Sequence, residues 1–350
     1  MTELRPWRAV HSDPVWGAAP LIDVRSEKEF AQGAIPGAAN IPLLIDADRH
    51  EVGLTYKNDG STAALHLGLE RFAARCEAFR EAVDASAAGG RKLAVHCWRG
   101  GMRSQMVAHW LGAMGYEVVV LQGGYKAFRG DVLAVIDHLG SRELLVLDGR
   151  TGAGKSALLA RFPPGFPCLD LEGLAHHRGS AFGDFAQTAP VATQQNFENQ
   201  LAVAALALPE TGPVLVEIES MLGPILLAPK LKDRIHTSPI VHVERDFDER
   251  AARLTAEYAC NWTAANDALF ATRCEMLRRH LSQSDLAAVI AAVHRRDFRQ
   301  AVEMLLTLRY DKIYDKGIAR RAKSVIARFD LTRDEDAAVA WITDYVRARS

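Results

Sequence analysis

Two short segments carry side chains whose types and spacing suit chemistry. The first is His96-Cys97-Trp98-Arg99-Gly100-Gly101-Met102-Arg103-Ser104. A cysteine that follows a buried strand and opens a helix sits where backbone N–H groups converge and favour negative charge. A thiolate there is stabilised, and its pKa can fall from about 8.5 into the range of roughly 3.5–7.5. Arg99 and Arg103 add positive charge beside the Cys97 sulfur, and Gly100 and Gly101 let the backbone curl around an anion without a Cβ clash. The thiolate is the nucleophile in sulfur, selenium and phosphoryl transfer alike, so these residues alone leave the three open. Any of them needs a sulfur that is not sealed away from solvent.

The second segment is Gly149-Arg150-Thr151-Gly152-Ala153-Gly154-Lys155-Ser156, which satisfies G-x-x-x-x-G-K-[ST] at every position. All eight residues are assigned to phosphate binding. Three glycines permit the backbone to wrap a phosphate so that successive N–H groups meet its oxygens. Lys155 brings a mobile positive charge, and Ser156 can bind Mg²⁺. The strand VLVEIE, 214–219, is the best placed to bring an acid to that metal, through Glu217 or Glu219. Asp148 and Asp170 are weaker candidates. Arg245 and Arg250 are either a lid over the phosphates or ordinary helix-surface arginines.

Elements that position these loops follow from periodicity and punctuation. Pro20–Asp23, Lys92–His96 and Tyr116–Leu121 predict buried strands, and Glu27–Gln32 a short helix. Apolar residues at helical spacing (Leu65, Leu69, Phe72, Phe79, Val83) predict one long helix over Leu65–Ala87, stopped by Gly89-Gly90. A helix follows the Cys97 loop to Met114, and Ala127–Gly140 reads as a connecting helix. Leu144–Leu147, Pro167–Leu171, Pro213–Ile218 and Pro239–Glu244 predict further strands, with an almost wholly helical stretch from Asp248 onward. Alternation of strands and helices implies mostly parallel sheets. At 350 residues the chain exceeds what a single core usually supports. The expectation is two α/β units, 1–140 and 141–350, the second with a helical C-terminal region.

Composition narrows the setting. With 49% hydrophobic and 24% charged residues this is an ordinary globular chain, and its net charge of -1 neither favours nor excludes a nucleic-acid partner. Between Arg278 and Arg328, twelve Lys/Arg face five Asp/Glu, which makes either a phosphate-facing surface or a solvated helical face. The five cysteines are odd in number and form no C-x-x-C pair, so a reducing compartment is implied. Cys76, Cys168, Cys260 and Cys274 read as small buried hydrophobes. The N-terminus lacks the apolar core of a signal peptide, and no apolar run approaches the roughly 20 residues of a membrane span. A cytoplasmic protein without a membrane partner is expected.

The spacing H-C-x₅-R-S is shared by cysteine phosphatases, and the flanks decide. LIDVRSEKEFAQGAIPGAANIP, 21–42, resembles the N-terminal signature of rhodanese domains, and GYEVVVLQGGYKAF, 115–128, resembles their C-terminal one. The first unit is thus rhodanese-like, which implies that Cys97 handles the chalcogen and that Asp23 and Arg25 are joined structurally behind the loop. The second unit is P-loop NTPase-like. A rhodanese domain running into a P-loop domain, with HCWRGGMRS, LQGGYKAFR, DGRTGAGKSALL, DLEGLAHHRGSAFG and QQNFENQLA, resembles the bacterial tRNA 2-selenouridine synthase family over essentially the whole chain. One departure is VEIESMLGPI, 216–225, where Met221-Leu222 replace polar or basic residues and weaken a metal role for that loop.

This resemblance implies an enzyme acting on tRNA that carries a wobble 2-thiouridine. The uridine is S-geranylated from geranyl diphosphate, and selenium from selenophosphate then replaces the S-geranyl group. No tightly bound cofactor is implied beyond Mg²⁺ assistance. Rival readings are a persulfide sulfurtransferase fused to an ATP-dependent small-molecule kinase, a cysteine phosphatase, and a non-catalytic RNA-binding module.

Overall fold

The computed structural model describes residues 3–178, 182, 190–218, 222–259 and 262–350, with the side chains of 264 and 265 left aside. The chain divides into two compact units, residues 1–134 with 198–200, and residues 135–197 with 201–350. Each contains a five-stranded sheet in which every strand pair is parallel. Parallel strands share one C-terminal edge, so loops leaving that edge collect on one side.

In the first unit the strands are β1 (Glu3–Arg5), β2 (Leu21–Asp23), β3 (Ala39–Asn40), β4 (Lys92–His96) and β5 (Glu117–Leu121), in the order β1-β5-β4-β2-β3. Near-continuous apolar runs mark β4 and β5 as buried on both faces. Leu93, Ala94 and Val95 of β4 are indeed wholly buried. Phe79, Val83, Val107 and Leu111 come from the helices Cys76–Ala87 and Met102–Ala113 and pack with Ile22, Leu93 and Val95. The long helix expected over 65–87 is two helices, Gly60–Ala73 and Cys76–Ala87, and Asp46–Asn58 packs on the first. Leu65 and Leu69 are 38% and 43% exposed rather than in the core. The break at Ala74–Arg75 carries no Gly or Pro, so nothing in composition announces it.

In the second unit the strands are β6 (Leu144–Asp148), β7 (Cys168–Leu169), β8 (Val214–Glu217), β9 (Ile240–Glu244) and β10 (Val325–Asp330), in the order β10-β9-β6-β8-β7. The central β6 is buried throughout. Leu145, Leu147, Leu158, Leu215 and Val241 form a core with Ala338, Ile342 and Val346 of the helix Glu335–Arg347. After Asp248 the chain is almost wholly helical, as expected, with one strand that was not foreseen: β10 adds a parallel edge strand to β9. Its inward residues Ala327 and Phe329 pack on the core, whereas Ile326 on the other side is 46% exposed. An apolar residue on the solvent face blurs the period-2 pattern that would have marked a strand.

Between β9 and β10 lies a helical insertion (Phe247–Ala259, Ala264–Met276, Gln283–His294, Phe298–Leu305, Asp311–Arg321) with its own core of Phe270, Cys274, Leu277, Val289 and Leu305. It springs from the C-terminal end of β9, beside the end of β6 that feeds the phosphate loop. No helix among the described residues is long and apolar enough to cross a membrane.

Candidate active sites: a thiolate loop and a phosphate loop

Cys97 follows the last residue of β4, and Gly101 caps the helix that begins at Met102. The loop between is held from outside by the β5-to-helix turn. Tyr125 N–H bonds to Cys97 O at 2.9 Å and Lys126 N–H to Trp98 O at 2.9 Å. Backbone meets backbone so closely that two glycines are obligatory. A Cβ on Gly124, where φ is +58°, would lie 2.3 Å from Cys97 O, and one on Gly100, where φ is +64°, 2.5 Å from Leu121 O. The QGGY segment is therefore the outer brace of the reactive loop.

Behind the loop, Arg25 Nε donates to Asp23 Oδ2 at 2.9 Å, its Nη2 bonds to Gly33 O at 2.7 Å, and its guanidinium lies 3.9 Å from the centre of the Tyr125 ring. Both partners are wholly buried, which is the structural pairing expected of them. His96 is also wholly buried; burial outweighs the nearby Asp23 carboxylate and holds its pKa down at about 4, so the ring is neutral at pH 7.

Around the sulfur, Ser104 Oγ lies 3.3 Å from Cys97 Sγ. Burial pushes the thiol up, but the Ser104 hydroxyl, the Ser104 and Arg99 amides and the Arg103 charge outweigh it, and the net displacement is downward. Burial instead drives the Cys274 thiol to about 12 and that of Cys168 upward. Cys274 is buried as expected, Cys168 and Cys76 are only half-buried, and Cys260 lies outside the described residues. Two expectations for the loop need correction. Cys97 is buried, at 3% exposed, where a sulfur open to solvent was expected. Arg99 reaches it through its amide while its side chain is exposed, and Arg103 supplies charge near the sulfur, with Glu29 Oε2 2.8 Å from its Nη1.

In the second unit Gly149–Ser156 links β6 to the helix Lys155–Leu159. Gly152 and Gly154 have φ of +79° and +96°, and a Cβ on Gly149 would lie 2.4 Å from Val243 O. Two loop amides are spent, Gly149 N–H on Asp148 Oδ1 and Ala153 N–H on Arg150 O. Those of Thr151, Gly152, Gly154 and Ser156 donate to no group among the described residues, so the cradle is not consumed by its own fold. Lys155 is buried, with Nζ 3.2 Å from Gly149 O and 5.6 Å from the centre of the Tyr314 ring. The Arg150 side chain pairs with Asp315 and takes no part in the cradle.

Ser156 Oγ is 3.2 Å from Glu172 Oε2 and 3.5 Å from Glu217 Oε2, and Glu172 N–H bonds to Glu217 Oε1 at 2.9 Å. Glu217 is wholly buried; its pKa stands well above the ordinary carboxylate range because of burial first and the neighbouring Glu172 and Asp170 carboxylates next. Glu219 and Met221 lie outside the described residues. Asp148 accepts from Arg321 Nη2 at 2.9 Å, and Asp170 caps the helix Leu171–Ala175 through Gly173 N–H.

Similarity places these two sites in one lineage. The family described as "tRNA 2-selenouridine synthase AAA domain" matches residues 142–348, and the rhodanese-like domain family matches residues 10–131. A tRNA 2-selenouridine synthase of Cupriavidus pinatubonensis is 36% identical over 95% of this chain and 95% of its own length. One of Marinobacter nauticus is 32% identical over 88% and 91%, and one of Cupriavidus necator is 42% identical over 68% of this chain and 65% of its own length. The chain belongs to the tRNA 2-selenouridine synthase family.

Within this family member, sequence reasoning placed the two loops and missed what surrounds them. Arg245 and Arg250 are not a free lid. Arg245 Nε bonds to Ala153 O and its other nitrogens pair with Glu249 and Glu335; Arg250 bonds to Thr151 O and pairs with Asp311. They clamp the loop's carbonyls. The cation that faces the cradle without an ion-pair partner among the described residues is Arg253, whose Nη2 would come within 3.4 Å of a Cβ on Gly154. Helical spacing from Arg250 puts it one turn nearer the cleft, a signal available in the sequence. The cleft, about 240 Å³, is also lined by Glu172 and Arg178, which fall in the DLEGLAHHRGSAFG segment without having been assigned to the site, and by Tyr314, which no motif names. The basic stretch 278–328 is not one patch, since Arg278, Arg296, Arg299 and Arg321 are each paired with a carboxylate.

Proposed function

We propose that this tRNA 2-selenouridine synthase acts on wobble 2-thiouridine in two steps, one at each loop, in the cytoplasm. In the first, the 2-thiouridine sulfur attacks the first carbon of geranyl diphosphate. The carbon–oxygen bond breaks, and diphosphate leaves with the electron pair into the 149–156 cradle. Lys155, Arg253 and the open amides meet the charge that develops on it. In the second, selenium derived from selenophosphate attacks C2 of the base and expels geranylthiolate. Alkylation is what makes this feasible, because an unalkylated sulfur would have to depart as the equivalent of a dianion.

The observation that carries the geranyl reading is what lies beside the phosphate cleft. Thr151, Leu254 and Tyr258 line both the cleft and an apolar chamber walled by Trp262, Phe270 and Phe298. A phosphate site that shares walls with a small aromatic and aliphatic chamber, about 50 Å³, suits the near end of an isoprenyl diphosphate better than a nucleoside triphosphate, whose ribose would meet a lining that is almost wholly apolar.

Mg²⁺ fits the donor set. Ser156 Oγ, Glu172 and Glu217 are hard oxygen ligands, and the raised Glu217 pKa reports buried negative charge that lacks compensation. No group of three His, Cys, Asp or Glu side chains among the described residues could hold a metal, so phosphate oxygens and water would complete the shell. When bound, the ion supplies positive charge to the departing diphosphate.

In the second step the loop of Cys97, with the Arg103 charge near the sulfur and Arg99 exposed, handles selenium. With Cys97 only 3% exposed, the balanced route is hydrolysis of the P–Se bond of selenophosphate beside the loop, water supplying the oxygen to the departing phosphate. The selenide so released, assisted by the Cys97 loop, is the nucleophile that meets C2 of the base. The test is mass spectrometry of nucleosides from thiolated tRNA incubated with the protein. Geranyl diphosphate alone should give S-geranyl-2-thiouridine, and subsequent selenophosphate should give 2-selenouridine. Isothermal titration should show geranyl diphosphate binding in preference to ATP. Unchanged nucleosides, or ATP turnover in place of geranylation, would defeat the reading.

A further inference from the structure

The P-loop unit contains a second cavity, about 510 Å³, that neither step above employs. Its floor is apolar, built from Ile218 at the end of β8 with Leu222 and Ile225 beyond it. Its rim is cationic, with Lys232 from the helix Pro229–Thr237 and Lys316 and Arg320 from the helix Asp311–Arg321. The cavity adjoins the phosphate site: Asp148, the residue before the loop, lines it, and Tyr314 lines both this cavity and the cleft that holds Lys155.

Charge on this rim is unspent. Lys232, Lys316 and Arg320 are exposed and have no ion-pair partner among the described residues. The acids that share a helix with two of them are engaged elsewhere, Asp311 with Arg250 and Asp315 with Arg150. The cavity's own carboxylate, Asp148, is held by Arg321. Three uncompensated cations around an apolar floor focus a positive field into the cavity. A purely apolar tail would place methylenes against those charges and gain nothing from them. A lone inorganic anion would leave the floor exposed. A nucleotide within a strand satisfies both, with its base on the apolar floor and its flanking phosphates on the rim.

We infer that this cavity receives the target nucleotide of the tRNA, with Lys232, Lys316 and Arg320 gripping the phosphates on either side and the base reaching toward the diphosphate cradle past Tyr314, which lines both. This rests on the reading that the acceptor for the P-loop chemistry is a tRNA uridine. It assigns the acceptor side of the site, which the cradle alone leaves open.

The test uses the full chain and a fluorescent anticodon stem-loop RNA bearing 2-thiouridine at the wobble position, titrated at several salt concentrations. The double variant Lys316→Ala/Arg320→Ala should bind about tenfold more weakly, and its slope of log affinity against log salt should be shallower by about 1.4, since each lost single-strand phosphate contact removes about 0.7. Its affinity for geranyl diphosphate should stay within about twofold of the parent. The control pair Arg279→Ala/Arg295→Ala, elsewhere in the basic stretch, should leave the RNA slope in place. The inference is overturned if the cavity variant matches the parent in affinity and slope, if the control loses as much, or if polyglutamate displaces the RNA better than polyuridine does. A parent protein that binds no stem-loop at any salt would instead bring down the tRNA reading itself, which separates the two failures.

Discussion

The loops after β4 and after β6 have the same origin and opposite finish. Each leaves the C-terminal end of a buried central strand, turns on glycines with positive φ and opens a helix. The Cys97 loop is then closed: it is bonded to the QGGY turn, Cys97 is buried, and the guanidinium that acts on it, Arg103, is paired with Glu29. The 149–156 loop is left open, with four amides and Arg253 unspent among the described residues around a cleft of about 240 Å³. The difference follows from where the reacting atom resides. A loop that owns its nucleophile must shield it and fix its pKa, since a thiolate is only as useful as its protonation state is defined. A loop that holds another molecule's leaving group must keep its donors unpaired until that charge appears.

The comparison breaks most directly by exchange of functions. Cys97→Ser should abolish 2-selenouridine formation, a loss of at least about a thousandfold, and leave S-geranylation within about twofold. Lys155→Ala should cut geranylation about a hundredfold while chemically geranylated tRNA is still selenated. Nucleoside mass spectrometry reads both products in one digest. If either variant loses both steps equally, the loops do not divide the chemistry.

How much of this was legible beforehand depended on whether backbone or side chain carried the signal. Cys97, Lys155 and Ser156 stand beside glycines that only a tight turn requires, and such turns announce themselves in sequence. The strand β10 did not, because Ile326 on its outer face breaks the alternation. Nor did the break at Ala74–Arg75, where helical spacing continues through two adjoining helices. Arg245 and Arg250 were visible as cations near the loop, but whether a guanidinium faces a ligand or a carboxylate is decided by Glu335 and Asp311, distant in sequence and adjacent in space. The enclosure of Cys97 was equally hidden, since the residues that close it, Gly123 to Lys126, lie across the sheet on the turn after β5.

That enclosure can be tested by crowding. Gly124→Ala puts a Cβ 2.3 Å from Cys97 O at a φ of +58°. The left-handed conformation alone costs roughly 1–2 kcal/mol, and the clash adds to it. The variant should melt several degrees lower and lose selenation, with geranylation retained. Gly112→Ala, helical and with open space around its Cβ position, should be neutral or stabilising by up to about 1 kcal/mol. Equal melting temperatures for the two would refute the brace.

The open loop makes a smaller prediction, in pH. Burial and the Glu172 and Asp170 carboxylates raise the folded-state pKa of Glu217 above its unfolded value. The folded state therefore favours the protonated acid, and that contribution is present at low pH and lost as pH rises through the folded pKa. Glu217→Gln cannot ionise, so without metal it should melt a few degrees above the parent at pH 8 and converge with it near pH 4. Mg²⁺ should narrow the gap at pH 8 by stabilising the parent alone, and a metal response of equal size in both proteins would remove Glu217 from the metal's shell.

The closed loop makes the smallest. Burial opposes ionisation of Glu29, yet its bonds to Arg103 win and hold it below the ordinary range, so at neutral pH it cancels much of the charge behind Cys97. Glu29→Gln removes that compensation and keeps the N-cap bond to Ser26, because an amide oxygen accepts from the same N–H. With Arg103 unpaired, the thiolate gains stabilisation and the Cys97 pKa should move further down. Alkylation by iodoacetamide, followed against pH with Cys97 identified by peptide mass spectrometry, should shift to lower pH, and its rate at pH 7 should rise about twofold. A shift to higher pH would mean that Glu29 orients Arg103 toward the sulfur more than it neutralises it, and the closed loop would then be a positioning device and not an insulating one.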